Sequence, residues 1–380
     1  MKYDVAIIGG GVIGSAIAYN LTKQGMKNIA VFEKSYIASG ATGRCGGGIR
    51  QQWASPENCK LAIRSVKLFE SLDDELDYKT EYYQGGYLLL AYGDDEMHQF
   101  DKNVKMQRNA GVPVRILNTS EIKSMYPFLN LDGVSCGAYC PTDGHANPML
   151  VNQAYANAAR RNGAKIHLFT EVKSIKRDGN RLISLKTSDG QEYETGCIIN
   201  AAGGFSSEIA EMAGISVPTR SQRHEALITE PLEHFMDPLI ISFHHHIYFR
   251  QTMHGSVLMG YGDANEPYSH NVESSIEFLK TMSRQITSLV PGMKKVKIVR
   301  QWAGSYNMTP DAQPIIGKMP ELENYYQAIG FSGHGLMLAP AVAEIIADLV
   351  TNGKTDYDYS GLTIERFLSG KDFSTEKAVV

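Results

Sequence analysis

The feature that most narrows what this chain can fold into is a set of glycines near its start. Gly9, Gly11 and Gly14 spell G-x-G-x-x-G directly after the apolar stretch YDVAII at 3–8. Val12, Ile13, Ala16, Ile17 and Leu21 then recur at helical spacing, with Gly25 as a stop. The segment NIAVFE at 28–33 reads as a second strand, so residues 3–33 form one βαβ unit, and Glu33 ends it nineteen residues beyond Gly14. Each part has a physical task. One glycine permits a tight turn, one lets a pyrophosphate approach the backbone, and one lets helix pack on strand. The helix N-terminus faces the phosphates, and the acid accepts a ribose hydroxyl. An acid at this place disfavours a 2′-phosphate, which sets NADP aside and leaves NAD or FAD.

Two later segments favour FAD. CIINAAGG at 197–204 reads as a second nucleotide-side strand and turn, and GFSGHG at 330–335 opens a helix that ends near Asn352 and Gly353. The start of that helix can face the N1–C2=O edge of a flavin, which gains negative charge on reduction. An NAD site needs neither segment.

Between these landmarks, residues 58–76 predict an amphipathic helix, 85–92 a strand, 94–111 a polar helix and 148–162 another helix. A strand at 165–169 is followed by strand pairs around Asp178-Gly179 and Ser188-Asp189-Gly190. Alternating stretches in 217–304 (HEALIT, LIISF, IYFRQT, SVLMGYG) predict an antiparallel sheet, interrupted by one helix around 272–288. The expected architecture is therefore α/β (α+β). A Rossmann-like FAD-binding domain is assembled discontinuously from 1–85, 145–215 and 305–370. An antiparallel-sheet substrate domain comes from 86–144 and 216–304, and 371–380 is a loose tail.

Composition excludes more than it identifies. With 43% hydrophobic and 21% charged residues and a net charge of −4, nothing points to nucleic acid or an anionic membrane as partner. No stretch approaches 18 uninterrupted apolar residues, so no membrane span is expected. The five cysteines are an odd, scattered set that suits a reducing compartment, and the expected location is cytoplasmic. Cys136 and Cys140 form C-x₃-C without two further ligands. His244, His245 and His246, read as strand neighbours, point to opposite faces, so no metal site is expected.

Five segments carry a resemblance across essentially the whole chain: IIGGGVIGSAIAYNL (7–21), SGATGRCGGGIRQQW (39–53), PTDGHANP (141–148), TPDAQPIIG (309–317) and GFSGHGLMLAPAVAE (330–344). They resemble the D-amino-acid-oxidase-like flavoproteins, and among these the β subunits of heteromeric sarcosine oxidase and of dye-linked L-proline dehydrogenase. The resemblance implies that Gly9, Gly11, Val12, Ile13, Gly14, Glu33 and Lys34 hold the adenosine diphosphate half of FAD. Val172 would touch adenine through its backbone, and Ala201, Ala202 and Gly203 would bring backbone to the cofactor again. Ser39, Thr42, Arg44, Cys45, Gly46 and Gly47 would wrap the isoalloxazine from one side. Gly304, Gly330, Ser332, Gly333, His334, Gly335, Leu336 and Met337 would wrap it from the other.

For catalysis the resemblance implies Arg50 as the substrate-carboxylate ligand, with His224 and Tyr248 as active-site side chains. The implied reaction is hydride transfer to flavin N5 from the carbon beside the nitrogen of a small amine or amino acid, of proline or sarcosine type. An α-type partner subunit, and FMN at a subunit interface, are further implications. Three departures refine this. No cysteine stands near Gly304–Ser305, where covalent relatives attach FAD, so a noncovalent flavin is expected. Met337 replaces a carboxylate-binding lysine. Leu258 replaces a lysine linked to dioxygen activation, which favours a dehydrogenase over an oxidase.

Plainer readings stay open beside these: Arg50 as a structural bridge, His224 as a satisfied strand histidine, Cys45 as a small packing residue. Two other functions also remain, a flavin-binding electron-relay or assembly subunit and a 2-hydroxy-acid or glycerol-phosphate dehydrogenase. A phosphate substrate would call for converging basic residues, which 217–304 does not show.

Overall fold

The structure, a computed structural model, describes residues 1–263, 265–368 and 375–376. The chain opens with β1 (Lys2–Ile8), α1 (Val12–Lys23) and β2 (Ile29–Phe32). A short strand β3 (Gly48–Ile49) leads to α2 (Pro56–Glu70) and α3 (Leu72–Leu76). Next come β4 (Tyr87–Tyr92), α4 (Gly93–Asn109), β5 (Arg115–Leu117), α5 (Thr119–Met125) and β6 (Val134–Cys140). β7 (Gly144–His145) precedes α6 (Pro148–Arg161), β8 (Lys165–His167) and the meander β9 (Val172–Asp178), β10 (Arg181–Thr187), β11 (Glu192–Asn200). After α7 (Ser206–Met212) come β12 (Arg220–Pro231), β13 (Leu239–Ser242), β14 (Ile247–Gln251), β15 (Ser256–Tyr261), α8 (Ile276–Leu289) and β16 (Ile298–Met308). The chain then forms β17 (Ile315–Lys318), β18 (Tyr325–Ile329), α9 (Gly335–Asn352) and α10 (Glu365–Leu368).

The first sheet is built around β1, which lies between β2 and β11 with all three parallel. β8 extends it beyond β2 and β18 beyond β11, again in parallel, while β17 and the β9–β10 hairpin join antiparallel. Both faces are covered. Val5 and Ile7 pack into one apolar cluster with α1 and α9, and Ala6 and Ile8 into another on the opposite face. Burial on both sides explains why β1 reads as a continuous apolar run instead of an alternating one. What matters for function is the carboxyl edge. Ile8 stands beside Phe32 on one flank and Asn200 on the other, so the chain leaves β1, β2 and β11 at one place.

The second sheet runs β16-β12-β15-β14-β13-β4-β6-β5. It is antiparallel except between β13 and β4, where Leu239 pairs with Tyr87 in parallel. The wholly antiparallel expectation is corrected there, because β4 docks from a segment far earlier in the chain. Period-two alternation sorts its faces. Leu227, Phe249, Met259 and Ile240 join the cluster under α8, whereas His224, Tyr248, Arg250 and Tyr306 occupy the other face.

Four other expectations change. The helix expected at 58–76 is two helices, because Ser71 leaves the helical region at φ −107°, ψ 2°. The boundary placed at 304 falls inside β16, which stays in the second sheet to Met308. His244–His246 form the β13–β14 turn and not a strand; His244 stacks on Tyr92, with ring centroids 4.5 Å apart. The tail at 371–380 lies outside the described residues except at 375–376, where Glu376 is buried and accepts hydrogen bonds from Ala54 N at 2.9 Å and Asn58 Nδ2 at 3.1 Å. Among the described residues one helix, α9, has the length and apolarity of a membrane span, yet it is mostly buried in the core, packed against α1 and α2.

The TPD segment is tied to α10 by a bidentate pair. Arg366 Nε donates to Asp311 Oδ2 at 2.6 Å and Nη2 to Oδ1 at 3.1 Å, with Asp311 wholly buried. Asp311→Ala should lower the unfolding free energy by about 3 kcal/mol, as expected when one member of a buried pair is removed. Chemical denaturation checks this, and an unchanged midpoint would refute it.

Candidate active site

A cavity of about 450 Å³ starts at the carboxyl edge of the first sheet and runs beneath the second. One end is walled by Glu33, Lys34, Val172 and Phe205, the other by Cys45, Tyr248, Tyr306 and Leu336. Such a volume lies in the range of small-molecule and cofactor sites.

The three motif glycines divide their work as the sequence suggests. A Cβ on Gly14 would stand 2.0 Å from Gly9 O, and one on Gly9 2.3 Å from Ala201 O. These two therefore serve close backbone packing, and Gly9 also holds φ +114°. A Cβ on Gly11 would meet only Thr42 Oγ1, at 3.2 Å, and Gly11 borders the cavity. Gly11 is the glycine whose missing side chain leaves room for a ligand. Glu33 is buried beside it, its carboxylate accepting from Gly10 N and Ser35 N, both at 2.8 Å. At the far end α9 begins with no side-chain cap from His334, and Gly335 and Leu336 border the cavity. The first N–H groups of a helix have no partner within it, so this terminus favours an electron-rich edge. Along the wall, His224 Nε2, Ser305 Oγ and Asn307 Nδ2 are buried without a protein partner among the described residues. A turn for phosphate, an acid for ribose and polar atoms in want of partners together fit FAD.

A second, smaller chamber of about 70 Å³ adjoins the first, sharing Cys45, Tyr248, Tyr306, Gly333 and Leu336 with it. Arg50, Tyr87, His334 and Met337 line only this chamber. The aromatic wall is seated by glycines. Tyr248 fills the space a Cβ would take on Gly46 and on Gly260, Tyr306 the space over Gly333, and Tyr87 Oη the space over Gly48. His224 lies between two of these rings, 4.4 Å from Tyr306 and 5.6 Å from Tyr248, nearly parallel to both. Burial pulls its pKa down to about 4, so the ring is neutral at physiological pH. His334 is likewise held well below its ordinary value, by burial first and then by the Arg50 charge.

Arg50 is buried, and its guanidinium stacks 4.5 Å from the centre of the Trp53 ring. Beside it lies Asp143, a fully buried carboxylate that accepts from Gln51 N at 2.8 Å, Gln51 Nε2 at 3.0 Å and Gln52 Nε2 at 3.1 Å. Burial outweighs these donors and raises the Asp143 pKa to about 6.

The structure thus brings most of the expected cofactor residues to the large cavity: Gly9, Gly11, Val12, Ile13, Glu33, Lys34, Ser39, Thr42, Arg44, Cys45, Val172, Ala201, Ala202, Gly203, Gly304, Ser332, Gly333, Gly335 and Leu336. Gly14 and Gly330 act behind the wall instead, the latter giving its N–H to Asn307 Oδ1 at 2.6 Å. Gly46, Gly47, His334 and Met337 belong to the small chamber. Arg50 and His224 are not together; the two tyrosine rings that border both spaces separate them. The Cys45 thiol is pushed up by burial, which agrees with a packing role. Sequence reasoning missed Tyr306, Tyr87, Phe205 and Arg250. Arg250 is buried and ties the glycine strip to β14, its Nε donating to Gly46 O at 2.6 Å. The register of His224 with Gly304 was the one available pointer to Tyr306, two residues further along the same face.

A parallel-stranded nucleotide fold, roofed by a second sheet and enclosing a dinucleotide-sized cavity joined to a smaller chamber, is the architecture of a dinucleotide-dependent oxidoreductase. Residues 4–349 match the DAO family, described as FAD dependent oxidoreductase. The sarcosine oxidase subunit beta of Rhizobium meliloti (strain 1021) is 31% identical over 375 residues, covering 97% of this chain and 89% of the relative. The crystal structure of L-proline dehydrogenase from P. horikoshii superposes with a TM-score of 0.93 at 38% identity, covering 97% of this chain and 99% of that one. Glycine oxidase from Geobacillus kaustophilus gives 0.88 at 26% identity, covering 96% and 98%. The chain belongs to the DAO family of FAD-dependent oxidoreductases.

Two tests follow from this geometry. Gly11→Ala should leave a folded protein with little bound flavin, whereas Gly14→Ala should destabilise the fold itself; flavin content and melting temperature separate them, and the reverse pattern would refute the assignment. Because the Asp143 pKa is raised on folding, the folded state binds this proton more tightly than the unfolded chain between about pH 4 and pH 6. The contribution of this group to stability therefore falls as pH rises through that window. Asp143→Asn should remove that component from the difference in pH–stability profiles; superimposable profiles would refute it.

Proposed function

We propose that the protein is a dehydrogenase that oxidises the C–N bond of a small secondary amine or amino acid carrying a carboxylate, of proline or sarcosine type, to an imine. The observation that carries this reading is the small chamber. Its lining has one permanent cation, Arg50, no carboxylate, and otherwise aromatic, apolar and glycine surface with neutral His334. Its volume of about 70 Å³ admits only a small substrate.

FAD bound in the large cavity would supply the hydride acceptor. The remaining work falls to the chain. Arg50 would hold the substrate carboxylate by charge-assisted hydrogen bonds and so fix which C–H faces the junction of the two spaces. An ammonium beside Arg50, with no acid in the lining, is disfavoured, so the chamber selects the neutral amine that donates its lone pair. Tyr248 and Tyr306 form the partition along which substrate and cofactor meet. His224, already neutral, would order both rings by stacking between them and keep Nε2 open to a ligand. Gly304 and Ser305 offer no thiol, which supports a noncovalent flavin. Leu258, where the resemblance places a lysine, supports a dehydrogenase. Relatives named as β subunits support an α-type partner.

The test is an anaerobic titration of the purified protein with its flavin, following loss of the oxidised flavin's visible absorbance. L-proline or sarcosine should bleach it and a 2-hydroxy acid should not; bleaching by the alcohol alone would overturn the reading. Arg50→Ala should raise the KM for a carboxylate-bearing amine by about 10- to 100-fold, the worth of charged hydrogen bonds, with flavin content retained. Equal loss of flavin and substrate affinity would show that the arginine is structural.

A further inference from the structure

The PTDGHANP segment supplies no residue to the reaction described so far, yet it contains a wholly buried carboxylate. Asp143 precedes β7, which pairs with β3 through Gly48–His145 and Ile49–Gly144. The ribbon ends at Ile49, and Arg50 is the next residue. From there to Ala54 the chain has no strand or helix geometry of its own. At this point the side chain of Asp143 takes over from the ladder. Its Oδ1 accepts the N–H of Gln51 at 2.8 Å, as a backbone carbonyl would do in a longer ribbon. The two following side chains are gathered on the same carboxylate, Gln51 through Nε2 to Oδ1 and Gln52 through Nε2 to Oδ2.

The other side of Arg50 is fixed as well. Trp53 Nε1 donates to Arg50 O at 3.3 Å, and Gln107 Nε2 donates to Trp53 O at 2.8 Å. Arg50 is thus held in a short non-regular stretch whose every neighbour is pinned by a buried polar group. The hydrogen bonds of Asp143 run to Gln51 and Gln52, and its charge also acts on the Arg50 guanidinium through space.

We infer that Asp143 is the positioning residue of the substrate-carboxylate site: through Gln51 and Gln52 it sets where the Arg50 guanidinium stands in the small chamber. This rests on the reading of Arg50 as the carboxylate ligand. A buried charge held by three neutral donors is a costly way to hold a turn, and an amide network could satisfy a turn that only had to fold. A carboxylate accepts from all three donors at once. An asparagine keeps one acceptor oxygen: with Oδ1 on Gln51, its NH₂ faces Gln52. The Gln52 amide then reverses to accept through Oε1 and gives up its Nε2 contact to Tyr87 O, which shifts the stretch that carries Arg50. A displacement near 1 Å at a substrate clamp can cost about 100-fold.

The experiment uses the holoprotein and a pair of amines differing in one group, L-proline and pyrrolidine. Asp143→Asn should lower the ratio of proline to pyrrolidine efficiency by about tenfold or more, through KM for proline and not kcat, with FAD content retained. Gln51→Leu, which keeps the backbone N–H and loses the side-chain donor, should move the ratio in the same direction by less. It also stands in if Asp143→Asn does not fold. Losses that are equal for both amines, or that follow loss of flavin, would make Asp143 a purely structural residue and overturn the inference. Arg50→Ala separates the two levels. If Arg50→Ala lowers the ratio and the other variants do not, only the positioning role fails. If Arg50→Ala leaves the ratio intact, the reading of the site fails with it.

Discussion

Everything functional in this molecule hangs on the register of three parallel strands. Because Ile8 lies level with both Phe32 and Asn200, the turn after β1, the acid after β2 and the turn after β11 open at the same edge. Parallel strands present their carboxyl ends together, so one crevice collects a helix N-terminus, an acid and two glycine turns. A slip of one residue in β2 would turn Glu33 to the opposite face of the sheet. The dense apolar packing on both sides of β1 protects that register.

The second constraint is the trade of Cβ atoms for aromatic rings. Gly46, Gly48, Gly260 and Gly333 are not spread by chance; each stands under a tyrosine that borders the small chamber. Replacing a side chain by hydrogen on one strand lets a ring from another lie flat against the backbone. The rings then form a partition between the two spaces without blocking their junction. The same strip of glycines looks like a phosphate or flavin loop when only the sequence is read, since close approach of a ligand and close approach of a side chain both require glycine.

This explains what was legible in the sequence. The βαβ unit, the start of α9 at GFSGHG and the hairpins at Asp178-Gly179 and Asp189-Gly190 are local, and the residues that specify them are adjacent. The parallel pairing of β4 with β13 is not local, and no periodicity records which distant strand becomes a neighbour. Tyr306 and Tyr87 were hidden for a related reason. With twenty tyrosines in the chain, only the register with His224 and the glycines beneath the rings distinguishes these two. The histidine tract at 244–246 misled because strand alternation was extended across residues that form a turn. Arg250 was hidden inside a segment already read for its tyrosine.

Electrostatics of the paired spaces follow from burial more than from charge count. Two histidines close to the chamber are neutral because desolvation opposes their protonation. Burial lowers the Arg50 pKa from its ordinary value, but a guanidinium starts so high that it keeps its proton. The result is a chamber with positive character and no acid in its lining, which rewards an anionic group on any occupant and penalises a cationic one. An amino acid in solution is a zwitterion, so entry forces a choice between its two charges. With Arg50 as the proposed carboxylate ligand, that choice would go to the carboxylate. On the proposed function the neutral amine would then be a consequence of binding, with no strong side-chain base needed to produce it.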